Sequence, residues 1–307
     1  MSEKTNNAFP EQNKKEFIKL LKAQRYYYKV AKRWQMLRLI ISGIIPVLFI
    51  IAKLKLLNGF LDLSWIVILS LIWIALSFLF RIFEKRYIFL GASIQEIFDT
   101  EIFKLDKNKI CFPIGPTLEE INNGAKKFKG NIEKLKNWYP LEDSGNKFLN
   151  ILLAQRTNIT WDRRLKERYR NLLFGLIIFL LFIEIFIALC INLSFREAIS
   201  ILFLSSFPLY FLLAEYTYEL HKQIKSNSMV DKQILDICEN INNFSENKLK
   251  IKCRQVQDYI YERNRLKSIL IPEWLYWLRR KRDKKDILEI NREIMDSFRR
   301  KLNLIKF

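Results

Sequence analysis

Apolar residues in this chain follow two patterns. In four blocks, residues 36–52, 63–80, 172–191 and 198–214, they run with almost no charge between them. A helix rises ~1.5 Å per residue, so roughly 17–25 apolar residues cross the ~30 Å hydrocarbon core of a bilayer. Each block predicts a transmembrane helix, and the four pair into hairpins over 36–80 and 172–214. Elsewhere apolar positions recur at helical spacing among charged ones. Phe17, Leu20, Leu21, Tyr28 and Ala31 predict an amphipathic helix over 14–36, either on a membrane surface or packed on neighbouring helices. Phe83, Tyr87, Leu90, Ile94, Ile97 and Phe98 predict that the second membrane helix continues past the bilayer. Further helices are expected over 121–138 and 149–169. Pro272 suits a first helical turn, and Ile287, Leu288, Ile290, Ile294 and Phe298 mark a last amphipathic helix. Pro46 and Pro208 fall inside two of the spans, and the Asn58-Gly59 pair signals a turn between the first two.

The fold class that follows is an all-α membrane protein. Its four transmembrane helices form two hairpins, with a helical cytosolic domain built from three segments. Those segments are 1–35, 81–171 and 215–307. Charge supplies the orientation. Lys and Arg number 10 in the first 38 residues, 18 in 81–171 and 21 from 215 onward, against 2 and 1 in the two hairpin turns. By the positive-inside rule both termini and the central segment face the cytoplasm. The polar stretch before the first block does not read as a cleaved signal peptide.

The net charge of +20 is compatible with a polyanion site. Basic residues at the cytoplasmic ends of spans, facing anionic lipid, give a simpler account, and no DNA partner is expected. The Lys and Arg run over 279–285 reads as a solvated or lipid-facing helix surface. Cys111, Cys190, Cys238 and Cys253 show no paired spacing, and His221 is the chain's one histidine. No metal site, imidazole-based triad, phosphate-cradling glycine loop or Gly-x-Ser-x-Gly elbow is present in the sequence, so no enzyme and no cofactor are expected.

Two groups of residues carry candidate chemistry. Glu184 lies inside the third block, where a carboxylate costs at least about 2–3 kcal/mol unless it faces protein or water. Glu184, Ala188 and Asn192 follow at i, i+4 and i+8, and Ser205 and Ser206 fall at similar depth across the turn. This set could line an oligomeric pore, hold helices together through a protonated acid, or serve ion-coupled transport. Before the third block, Gln155, Arg156, Asn158, Trp161, Arg163 and Arg164 lie within ten residues. Arginine forks bind phosphate and tryptophan stacks on bases, although juxtamembrane anchoring uses the same residue types.

Several segments carry a family resemblance: Leu21-Lys22-Ala23-Gln24-Arg25-Tyr26-Tyr27-Tyr28, Ile94-Gln95-Glu96-Ile97-Phe98-Asp99-Thr100, Asn137-Trp138-Tyr139-Pro140, Ala154-Gln155-Arg156-Thr157-Asn158, Trp161-Asp162-Arg163-Arg164-Leu165, Val256-Gln257-Asp258-Tyr259-Ile260-Tyr261 and Ile271-Pro272-Glu273-Trp274-Leu275-Tyr276. In this order around four spans they resemble the SMODS-associating four-transmembrane effectors, a pore-forming family of bacterial conflict systems. Ala154 departs from the pattern, where a cysteine is expected before the Gln-Arg pair, which puts a thiol-dependent role there in question. The resemblance implies an effector that answers a cyclic oligonucleotide made by a partner nucleotidyltransferase after phage infection. Acting as a homo-oligomer in the bacterial inner membrane, it would permeabilise that membrane and stop growth of the infected cell. A non-conducting membrane scaffold and a small ion-coupled transporter are the competing expectations.

Overall fold

In the computed structural model, which describes residues 7–53, 63–112 and 114–305, the protein is all-helical, with one isolated bridge between Asn7 and Glu142. Four long helices dominate: α1 (Lys15–Lys53), α2 (Leu63–Phe103), α4 (Lys147–Cys190) and α6 (Leu204–Glu239). Shorter helices fill the rest: α3 (Leu118–Lys127), α5 (Phe195–Ala198), α7 (Glu246–Tyr259), α8 (Glu273–Leu278) and α9 (Arg280–Ile305). Among the described residues, three helices are long and apolar enough to cross a membrane: Lys15–Ile51, Lys147–Cys190 and Phe195–Glu239. Lys55 and the Asn58-Gly59 turn lie outside the described residues, as does the side chain of Trp65 in the second apolar block.

Several predicted elements merge. The helix expected over 14–36 and the first apolar block form the single helix α1, and the candidate over 149–169 runs straight into the third block as α4. At ~1.5 Å per residue the 44 residues of α4 extend about 66 Å, twice a hydrocarbon core. Asn146 opens α4 by accepting from the backbone N–H groups of Phe148 at 3.0 Å and Leu149 at 3.1 Å. Asn192, with φ of 53°, follows its end in the left-handed region that asparagine tolerates. The helix expected over 121–138 is shorter: α3 stops at Lys127, and Asn131 caps a separate 3₁₀ turn over Ile132–Lys134. Pro46 and Pro208 sit within α1 and α6, where each removes one backbone donor.

The chain divides into two compact units. The first, here the core unit, takes Met1–Lys29, Tyr87–Leu165 and Gln223–Phe307. It contains the hydrophobic core, in which Leu21, Phe98, Leu149, Leu152, Ile234, Cys253 and Met295 are buried. Phe9, Phe98 and Phe103 surround Tyr139, with ring centroids 5.2–6.2 Å from it. Gly124 lets α3 approach α1, since a Cβ there would stand 2.6 Å from the Tyr27 ring.

The second, here the apolar unit, takes Val30–Arg86 and Lys166–Lys222. Its large apolar side chains point outward: Ile74, Phe78, Phe174, Phe182, Phe186, Leu189, Phe207 and Phe211 are all exposed. Such a surface is disfavoured in water and suits lipid. Polar groups are turned inward. Arg38 donates to Glu84 at 2.8 Å and to the Tyr216 hydroxyl at 2.6 Å, joining α1, α2 and α6. Lys53 Nζ donates to the Ser200 carbonyl at 2.6 Å.

Candidate functional site

The motifs scattered along the sequence meet inside the core unit. Glu96 and Asp99, three apart on α2, share a face and point inward, and Asp99 is 0% exposed. Arg265 reaches them from a π-helical turn over Ile260–Leu266, a geometry that often marks a functional segment. It donates to Asp99 and lies 3.5 Å from Glu96. Gln257 donates to Glu96 at 2.8 Å and to Asp99 at 3.1 Å, and Arg254 donates to Glu96 at 2.7 Å. From the central segment, the Tyr139 hydroxyl donates to Asp99 at 2.7 Å and accepts from Asn158 at 2.7 Å. Gln12 closes the far side, accepting from the Tyr139 N–H at 2.8 Å and donating to its carbonyl at 3.0 Å.

Electrostatics keep this network paired. Burial pushes the Glu96 carboxyl up, opposed by Arg265 and Arg254. Burial disfavours the charged form of Arg265, yet Asp99, Tyr139 and Glu96 outweigh it and strengthen its hold on the proton. Burial and then Asp99 raise the Tyr139 phenol well above its ordinary value, so it stays a donor. Two carboxylates facing two guanidinium groups leave no free acid or base. The arrangement ties five stretches of the chain to one point.

The six residues singled out before the third apolar block spread over several faces of α4. Gln155 donates to the Cys253 carbonyl at 2.8 Å and to Gln257 at 3.2 Å, and Asn158 joins Tyr139, so both extend the same network. Arg156 pairs with Asp231 at 3.0 Å and donates to Asn291 at 2.9 Å. Arg163 shares Asp231 at 3.4 Å. Arg164 faces Asp286 at 3.0 Å and Asp283 at 3.6 Å. Trp161 packs on Tyr276 with centroids 5.8 Å apart. The structure thus brings Gln155 and Asn158 to one network and Arg156 and Arg163 to one carboxylate, while Trp161 and Arg164 stand apart. Reading the sequence for sites missed Asp99, Glu96, Gln257 and Arg265. Two acids three apart in the apolar run over 94–103 were the available signal.

In the apolar unit Glu184 is 6% exposed, within an otherwise apolar stretch of α4. Tyr210 of α6 lies within electrostatic reach of it. Glu184 Oε2, the Tyr210 hydroxyl and Ser205 Oγ are buried without a well-formed hydrogen bond among the described residues. Ser206 is also buried, Ala188 is half-buried, and Asn192 is exposed beyond the end of the helix. The structure therefore places Glu184 and the serine side chains inside the unit, and leaves Asn192 in the turn.

Comparison with known proteins covers nearly the whole chain. The sequence matches the SMODS-associating 4TM effector domain over residues 6–294. It is 36% identical over 285 residues to a protein of Bacillus cereus (strain VD146) named "Probable CBASS effector molecule", covering 91% of this chain and 95% of that protein. No solved structure matches it. A domain match that takes in both the buried network and the apolar helices makes the chain a member of the SMODS-associating 4TM effector family.

Proposed function

We propose that this protein is the membrane effector of a cyclic-nucleotide-signalled antiphage system of the CBASS kind. The observation that carries the reading is the unbroken effector-domain match from residue 6 to 294, which includes both units. The similarity to the Bacillus protein supports it. In this reading α2 supplies the second span over 63–80, so four spans form two hairpins in the bacterial inner membrane. Both termini then lie in the cytoplasm, in keeping with the Lys and Arg counts. The partner is a nucleotidyltransferase whose cyclic oligonucleotide reaches the core unit. The protein performs no catalysis. Copies assemble and permeabilise the bilayer, because four spans in one chain are few to enclose a conduit.

Glu184 is the residue in this reading that lines or braces the opening. It is buried within the apolar unit, with Tyr210 of α6 in electrostatic reach. Carboxylates repeated around a ring favour cations. The test is leakage of ions and dyes from liposomes holding the purified protein, with and without cyclic di- and trinucleotides. Nucleotide-dependent leakage is expected. Intact oligomers that leak under none of these ligands would overturn the pore. A Glu184→Gln variant is expected to lose cation preference. Normal leakage and selectivity in that variant would remove Glu184 from the opening and leave the effector reading in place.

A further inference from the structure

Away from the buried network, the core unit carries a stack in which cations and aromatic rings alternate. Lys134 lies 4.3 Å above the Trp277 ring, and Arg280 lies 4.7 Å from that ring. Arg280 also stands 5.6 Å from the Tyr276 ring, and Arg25 covers Tyr276 at 5.1 Å. Arg25 then meets Trp138 at 5.3 Å. Five elements contribute: α1, the 3₁₀ turn over Ile132–Lys134, the loop after it, α8 and the first residue of α9.

The charges in this stack do not balance. Glu273 lies 3.9 Å from Arg25 and accepts from the Trp277 indole N–H at 3.1 Å. Arg280 and Lys134 have ring partners but no carboxylate within ion-pair distance among the described residues. This contrasts with Arg156, Arg163, Arg164, Arg254 and Arg265, each paired with an acid. A guanidinium that meets rings rather than carboxylates has no acid to neutralise it, which leaves its N–H groups available to an anion. One turn before Trp277 on α8, Trp274 is 53% exposed.

We propose that this stack is a phosphate-recognition site for a multiply charged nucleotide. Arg280 and Lys134 take the phosphates, and a base stacks on Trp274. The inference rests on the nucleotide-signalled reading above and assigns it a place. Anionic lipid headgroups carry the same phosphate chemistry, so the experiment separates the two sources.

The full-length protein in phosphatidylcholine nanodiscs would be titrated with cyclic di- and trinucleotides of adenine, guanine and uracil. Tryptophan fluorescence and calorimetry would report binding. A parallel arm would measure association with phosphatidylglycerol vesicles against phosphatidylcholine vesicles. The expected result is that one of the nucleotides binds and quenches fluorescence. The Lys134→Gln, Arg280→Gln double variant should weaken that binding at least about tenfold while its melting temperature is kept. If the double variant melts early, Trp274→Ala serves instead, since its side chain is exposed; it should weaken nucleotide binding and leave binding of inorganic pyrophosphate unchanged. A nucleotide that binds wild type and variants alike overturns the site and leaves the proposed function standing. Variant-sensitive binding of phosphatidylglycerol with no nucleotide binding keeps the phosphate site, gives it to lipid, and overturns the nucleotide. Binding of neither overturns the proposal outright.

Discussion

The two units invert one another's use of polarity. In the core unit apolar side chains such as Leu152 and Phe98 are sealed inside, and the buried charges come as closed pairs: Asp99 with Arg265, Glu96 with Arg254, Asp231 with Arg156. In the apolar unit phenylalanines face outward, while Glu184, Ser206, Arg38 and Glu84 are turned inward. Water drives the first arrangement, because apolar surface removed from it contributes roughly 25 cal/mol per Å². That force is missing between helices surrounded by lipid, where close packing and internal polar contacts hold them. Deleting a buried charge and deleting a large apolar side chain should therefore rank differently in the two units.

The largest effect is expected from Asp99→Ala in the core unit. It leaves Arg265 buried with only the longer contact to Glu96, and it removes the acceptor of Tyr139 and Gln257. Breaking a buried ion pair from one side costs about 3–5 kcal/mol. Thermal or denaturant unfolding of the full chain in detergent should show the core unit melting first. A loss under about 1 kcal/mol would mean that water enters the network freely.

A smaller effect, for each single pH unit, is expected from titrating the core unit. Burial pushes the Cys238 and Cys253 thiols of the core unit up to about 12, from an ordinary value of 9.0. Between those values the folded state keeps protons that the unfolded chain gives up. Their contribution is thus complete below about pH 9 and is lost as pH rises toward 12. The loss is of the order of 1 kcal/mol per thiol for each pH unit in that window. Thiol reagents should also label these two only after unfolding, whereas half-buried Cys111 labels in the native protein. Rapid native labelling of Cys253 would contradict the closed core.

Much of the architecture was legible because uninterrupted apolar blocks are a strong local signal, as the merged helix α4 illustrates. The end of α3 was harder to place. Its apolar pattern continues past Lys127, but Gly130 and Asn131 break the helix through backbone and side-chain preferences that periodicity does not register. The buried network was largely illegible. Gln12, Asp99, Tyr139, Gln257 and Arg265 are far apart in sequence, and only packing makes them neighbours. The run over 279–285 reads as a solvated surface by composition. Arg280 departs from it because Tyr276 and Trp277, four and three residues earlier, offer their rings.

The smallest effect is expected from Phe182→Ala on α4 in the apolar unit. The phenyl group is 68% exposed, so it meets lipid in the folded protein and would meet lipid again if the helices separated. With little change of surroundings between those states, the substitution should alter stability in nanodiscs by no more than about 0.5 kcal/mol. The same truncation in a sealed core costs about 3–5 kcal/mol, which is the contrast to look for in Phe98→Ala. The measurement also bears on assembly. A loss of about 2 kcal/mol or more at Phe182 would mean that protein, not lipid, covers this face, as an interface between copies would require. Repeating it after adding an activating nucleotide would then show whether that interface forms only in the signalled state.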